Sequence, residues 1–171
     1  MKYKDILSDI CGLVVLPIIA AVPLLLCGVT KYNYTGILNL PGVRPWAVGL
    51  GLFYGLMIFL LLEDLHHAKT NVAYIVLWVL GILTPYTKGS VVGQFHLLFG
   101  TVGTIVLQLC LLPLWHMDKT ITRMYACTCL LAIMIVITFC AVTGLAEIAY
   151  AVPLPILLTL LKIKKDRRTG Q

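Results

Sequence analysis

This sequence is short of charge. Asp, Glu, Lys and Arg make up 12% of the 171 residues, while 60% are hydrophobic. An ordinary soluble domain carries about 25% charged residues, so a soluble chain with its own polar exterior is excluded. The short motifs that mark common enzyme chemistry are also missing. There is no His-Glu-x-x-His, no Walker glycine loop, no Gly-x-Ser-x-Gly and no haem-binding Cys-x-x-Cys-His. The six cysteines form no Cys-x-x-Cys; Cys127 and Cys129 are separated by one residue inside an apolar run. A quinone-linked thiol oxidoreductase is therefore not indicated, and the cysteines read as small apolar fillers.

What the chain has instead is long apolar runs. A bilayer crossing takes about 20 apolar residues, and windows of that kind fall near 10–29, 46–62, 72–86, 94–115, 124–143 and 144–161. The third is short, and the last two are nearly continuous, interrupted around Thr143–Gly144. The first follows a basic start but contains Pro17 and Pro23 and has no small-x-small cleavage site after it, so it reads as a retained helix. The expected fold is all-α: one integral membrane domain over 1–171, a polytopic six-helix transmembrane bundle. Prolines are expected to break the first helix, at Pro17 and Pro23, and the sixth, at Pro153 and Pro155.

The net charge of +6 carries orientation, not nucleic-acid binding. With the N-terminus inside, Lys2, Lys4, Lys69, Lys119, Arg123 and the tail cations Lys162, Lys164, Lys165, Arg167 and Arg168 share the inner side. Only Lys31, Arg44 and Lys88 lie outside. Both termini are then cytoplasmic. The tail follows directly on an apolar helix, a placement suited to anionic headgroups. Gly51 and Gly55 form a GxxxG on the second helix that admits a close neighbour, by internal packing or in a homodimer.

Ionisable groups at membrane depth need a partner or a purpose. His96, near the start of the fourth helix, and Glu147, near the start of the sixth, fall at similar depth on the expected outer side. They suggest a charge-assisted pair or half of a metal site. His96, Gly100, Thr104 and Gln108 recur every four residues and are expected to face the bundle interior. Gln94, Tyr86, Lys88, Tyr150 and Arg44 complete an expected outward-facing pocket, although the same residues can serve helix packing alone. At the other face Glu63, Asp64, His66 and His67 end the second helix, while His116 and Asp118 end the fourth. Glu63, His67 and His116 are weak metal-ligand candidates, equally readable as solvated helix ends. Which cofactor, if any, the chain uses is not readable from these residues. Asn33 and Thr35 form a glycosylation sequon, relevant in a eukaryotic source.

Residues 81–100, running from Gly81 through Pro85 and Tyr86 to His96 and Gly100, resemble a family of bacterial six-helix membrane proteins of unknown function related to the DRAM-like group. Those proteins have a short proline-containing outer loop and a helix opened by one histidine and small residues. Gly144–Glu147 resembles the start of their last helix. The chain differs at Tyr86, where an acidic residue is expected, and at Glu147, where a basic one is. The resemblance implies a fold and a bacterial cytoplasmic membrane, and no activity. The leading expectation is a non-enzymatic membrane protein binding a lipid or small ligand, or acting as a sensor or accessory subunit. The alternatives are a metal-dependent lipid-modifying enzyme and a small transporter or channel.

Overall fold

The computed structural model describes residues 3–169, with side chains from Ile6 onward, and all regular structure among them is helical. Lys2 and the side chain of Lys4, counted above with the inner cations, lie outside the described residues. The first apolar run comprises α1 (Tyr3–Ile10), a π-helical turn (Cys11–Val15) and α2 (Leu16–Cys27). Pro17 has no N–H to give, and its ring crowds the carbonyl four residues back. The helix widens to the π form just ahead of it and then continues through Pro23. The expected break is thus a widening.

Next come α3 (Tyr34–Ile37), α4 (Arg44–Leu65), α5 (Lys69–Leu83) and α6 (Val91–Leu111), which tightens into a 3-10 turn (Leu112–His116). They are followed by α7 (Lys119–Phe139), α8 (Gly144–Ala151) and α9 (Pro153–Thr169). Ser90, Asp118 and Thr143 accept hydrogen bonds from the first free N–H groups of α6, α7 and α8, the groups a helix cannot satisfy within itself. Cys140, in the left-handed region at φ 48°, closes α7. The interruption between the last two runs therefore falls at 140–143. Val152 separates α8 from α9, immediately before Pro153.

Among the described residues, five helices are long and apolar enough to cross a membrane: Ile6–Cys27, Arg44–Leu65, Val91–His116, Lys119–Phe139 and Gly144–Thr169. The sixth apolar helix, α5, has 15 residues, about 22 Å at 1.5 Å per residue.

The chain divides into two compact units. One is continuous, Thr35–Leu114, and holds α3 to α6, with α5 packed against both α4 and α6. There Gly51 and Gly55 of α4 are buried. A Cβ on Gly55 would lie 2.1 Å from the Trp78 ring of α5, and one on Gly51 would lie 3.0 Å from Ile82. Trp78 Nε1 donates to the Gly51 carbonyl at 2.8 Å. The two glycines of the GxxxG are thus packed by Trp78 and Ile82 of α5.

The other unit joins Met1–Tyr34 to Trp115–Gln171. In it α8 packs against α2 and α7, and α9 packs against α7 and the π turn. Lys162 Nζ, on α9, donates to Asp9 Oδ1 at 3.2 Å, and Lys164 pairs with Asp118 ahead of α7.

Candidate functional site

His96 and Glu147, the two residues on which the sequence places an outer pocket, belong to different units, and each is engaged within its own. His96 projects from the first turns of α6 and is only 7% exposed. Its Nδ1 lies 2.8 Å from the Thr84 carbonyl oxygen. A carbonyl can only accept, so this nitrogen carries the hydrogen. In the neutral ring Nε2 then accepts from the Thr35 hydroxyl, 3.1 Å away. The Tyr86 ring lies beside it, with centroids 5.7 Å apart. With both nitrogens occupied, the imidazole ties α6 to the end of α5 and to α3. A metal ion would have to displace Thr35.

Glu147 sits in the first turn of α8, and its Oε2 accepts from the Tyr34 backbone N–H at 2.6 Å. Around it the 28–34 loop is stitched to the start of α8. Gly144 N–H donates to Tyr32 O and Leu145 N–H to Val29 O, so loop carbonyls satisfy two N–H groups the helix leaves over. Asn33 Nδ2 donates to Val142 O. Gly144 permits this approach, since a Cβ there would stand 2.5 Å from Tyr32 O. The Tyr34 hydroxyl donates to Ala20 O at 2.7 Å. Burial, and secondarily the Glu147 charge, push the Tyr34 phenol above its ordinary range, so it remains a neutral donor.

The two nominated residues therefore differ in what they have left to offer. A carboxylate has about four acceptor positions, and a single backbone N–H fills one at Glu147. Among the described residues it has no ion-pair partner. The remaining acidic residues in the sequence are Asp5, Asp9, Glu63, Asp64, Asp118 and Asp166.

Gln94, Lys88 and Arg44 are exposed, Tyr86 and Gln108 half-buried. Tyr150, also half-buried, packs beside Tyr125 with ring centroids 6.3 Å apart. Thr104, expected to face the interior, is exposed and returns its hydroxyl to Gly100 O. The reason is geometric: steps of four residues drift by about 40° each on a 3.6-residue helix. The buried face that includes His96 continues instead through Gly103, Leu107 and Cys110.

At the α4–α5 corner the helix stops at Leu65, yet His67 Nδ1 still reaches Glu63 Oε2 at 2.7 Å. Glu63 Oε1 accepts from Asn71 Nδ2, and His66 Nε2 donates to Cys110 O. His116 belongs to the other unit. Among the described residues no three His, Cys, Asp or Glu converge as metal ligands.

Sequence reasoning did not anticipate Tyr34, Thr35 and Thr84 as the partners of the two key residues. Two of these three contacts use backbone atoms, which leave no mark in residue type. Comparison with family models, curated proteins and solved structures gives no match to this chain.

Proposed function

We propose that this chain is a six-span, non-enzymatic protein of a cytoplasmic membrane, of the bacterial kind its resemblance implies. Both termini are cytoplasmic, and Glu147 on the outer side receives a cationic group. The six-span count rests on α5 crossing as a short helix, extended by Thr84–Tyr86 toward the interface. It also rests on the ten-to-three division of cations that only an even number of spans preserves.

The observation that carries the ligand reading is the unmatched carboxylate. A charge near the end of an apolar helix calls for a counter-charge, and Glu147 has one N–H and no cation among the described residues. An ammonium-bearing lipid headgroup or a small amine supplies that charge. His96 then holds its own helices in register and is not a ligand.

Native mass spectrometry of the protein released from membranes tests this, with wild type, Glu147→Gln and His96→Ala compared. Glutamine keeps an acceptor for Tyr34 but removes the charge. A retained amine-bearing lipid or small amine is expected in wild type and His96→Ala and lost in Glu147→Gln. Equal retention in all three would remove Glu147 as the binding group.

A further inference from the structure

At the far end of the same unit as Glu147, the last two turns of α9 meet the segment just before α7 in a cleft of about 190 Å³. It is lined by Met117, Leu161, Lys164, Lys165, Arg168 and Thr169. The sequence pattern explains its character. Positions 161, 164, 165 and 168 follow the three- and four-residue steps that put side chains on one helix face. One face of α9 therefore passes from a fully buried leucine to three cations within two turns.

These cations are not equivalent. Lys164 is spent on Asp118, which also caps α7 through the Thr120 and Ile121 N–H groups. That pair fixes the two walls of the cleft to each other. Lys162, just outside, is held by Asp9 and lies near Asp166. Arg168 is exposed and has no ion pair among the described residues, and Lys165, which is engaged by a neighbour of its own, lines the cleft beside it. Thr169 donates its hydroxyl to the Lys165 and Asp166 carbonyls, so it contributes shape and not a free donor.

Depth separates a lipid from a dissolved anion. Counted from Gly144 at 1.5 Å per residue, about 30 Å of hydrocarbon is crossed in about 20 residues. The chain then leaves the apolar layer near Ile163. Lys164, Lys165 and Arg168 stand at headgroup level, with Met117 beside Asp118 at the same level and Leu161 on the hydrocarbon side. A cleft with an apolar floor and a cationic rim at that boundary matches an amphiphile.

We propose that this cleft binds the phosphate-bearing headgroup of an anionic phospholipid, with Lys165 and Arg168 on the phosphate and the half-buried Met117 against the apolar start of the tails. The site is separate from Glu147 in place and in the sign of its ligand.

The test is titration of the full chain in neutral detergent micelles with fluorescent-tailed phosphatidylglycerol, followed by fluorescence polarisation. Unlabelled phosphatidylglycerol, phosphatidylcholine and inorganic phosphate serve as competitors. Removing one cation at a membrane surface weakens anionic-lipid binding about fivefold, and removing two about thirtyfold. Lys165→Gln/Arg168→Gln is expected to lose about that much, with its helical circular dichroism intact, and Lys165→Arg/Arg168→Lys to bind like wild type. Arg167→Gln, which lies outside the cleft, is expected to lose less than either single cleft variant. If the double variant fails to fold, Lys165→Gln and Arg168→Gln alone carry the test at about fivefold each. Equal loss in Arg167→Gln would mean generic tail charge and would overturn the site. So would undiminished binding by the cleft variants. Competition by inorganic phosphate as effective as by phosphatidylglycerol would replace the lipid with a free anion.

Discussion

Gly55→Ala is the sharpest perturbation of the α4–α5 contact. The added methyl would lie 2.1 Å from Trp78 Cδ1 and Nε1 and 2.8 Å from Cγ, so the indole has to move. It cannot move freely. Its Nε1 donates to Gly51 O, and Tyr54 and Tyr74 flank it with ring centroids 5.9 Å away. Overpacking of this kind costs about 1–3 kcal/mol, and a lost hydrogen bond adds about 0.5–1.5 kcal/mol. Alanine's better helix propensity returns about 1 kcal/mol. The centre of these ranges is a net loss of about 2 kcal/mol. At about 2–4 °C per kcal/mol for a chain of this size, the melting temperature falls by about 4–8 °C. Thermal unfolding of purified protein in one detergent, followed by far-UV circular dichroism, measures it. Gly49→Ala is the control, because nothing stands within 4 Å of a Cβ there and the helix is exposed. In a Trp78→Leu background the cost of Gly55→Ala should nearly vanish, which a double-mutant cycle reads directly. A Gly55→Ala protein as stable as wild type, or more so, would refute the close packing of α4 on α5.

Three further outcomes follow from other contacts. Thr159 is fully buried with its hydroxyl unpartnered among the described residues, against Gly12. Thr159→Val keeps the shape and removes the desolvated oxygen, so thermal unfolding should show a gain of about 1 kcal/mol. His96→Ala should cost about 1–3 kcal/mol, because it strands the half-buried Thr84 carbonyl and Thr35 hydroxyl; no shift in melting temperature would contradict the assigned hydrogen bonds. The Lys164 hydrogen bond, followed by the Ile121 N–H, holds the Asp118 carboxyl below the usual carboxylate range. A lowered folded-state value means that the pair's stabilisation is complete above about pH 4, the unfolded value, and is lost as pH falls through the folded one. Melting temperatures measured between pH 2 and 5 should therefore decline less steeply in Asp118→Asn than in wild type.

Hydropathy made the six apolar segments legible because it depends on residue type alone. It misplaced their ends wherever helical hydrogen bonding runs past the last apolar residue. The second segment continues through Glu63 and Asp64 to Leu65, and the sixth through the basic tail to Thr169. The interruption before the last segment was readable from Thr143 and Gly144, which supply a cap and a close approach. His96 and Glu147 stood out as polar groups in apolar helices, and both are held by specific hydrogen bonds. Their partners were not readable. Tyr34 lies 113 residues from Glu147 and meets it through a backbone N–H, while His96 rests on a carbonyl. The π turn was equally silent, since its cue, Pro17, lies beyond its end.

The division of the chain has a consequence for its manufacture. Thr35–Leu114 is a single uninterrupted segment whose helices can find one another in the order in which they are synthesised. The unit that contains α2 cannot be finished that way, because α2 and the π turn pack against α8 and α9, which are made only later along the chain. From its release into the bilayer until α8 and α9 arrive, this helix must wait among lipids without its own partners, while the whole of the other unit and α7 are made in between. Long-range closure of this kind is slow and exposes surfaces to wrong neighbours. A ribosome that stops before Gly144 would leave an orphaned first helix, and membrane proteases and chaperones would meet that intermediate during every round of synthesis.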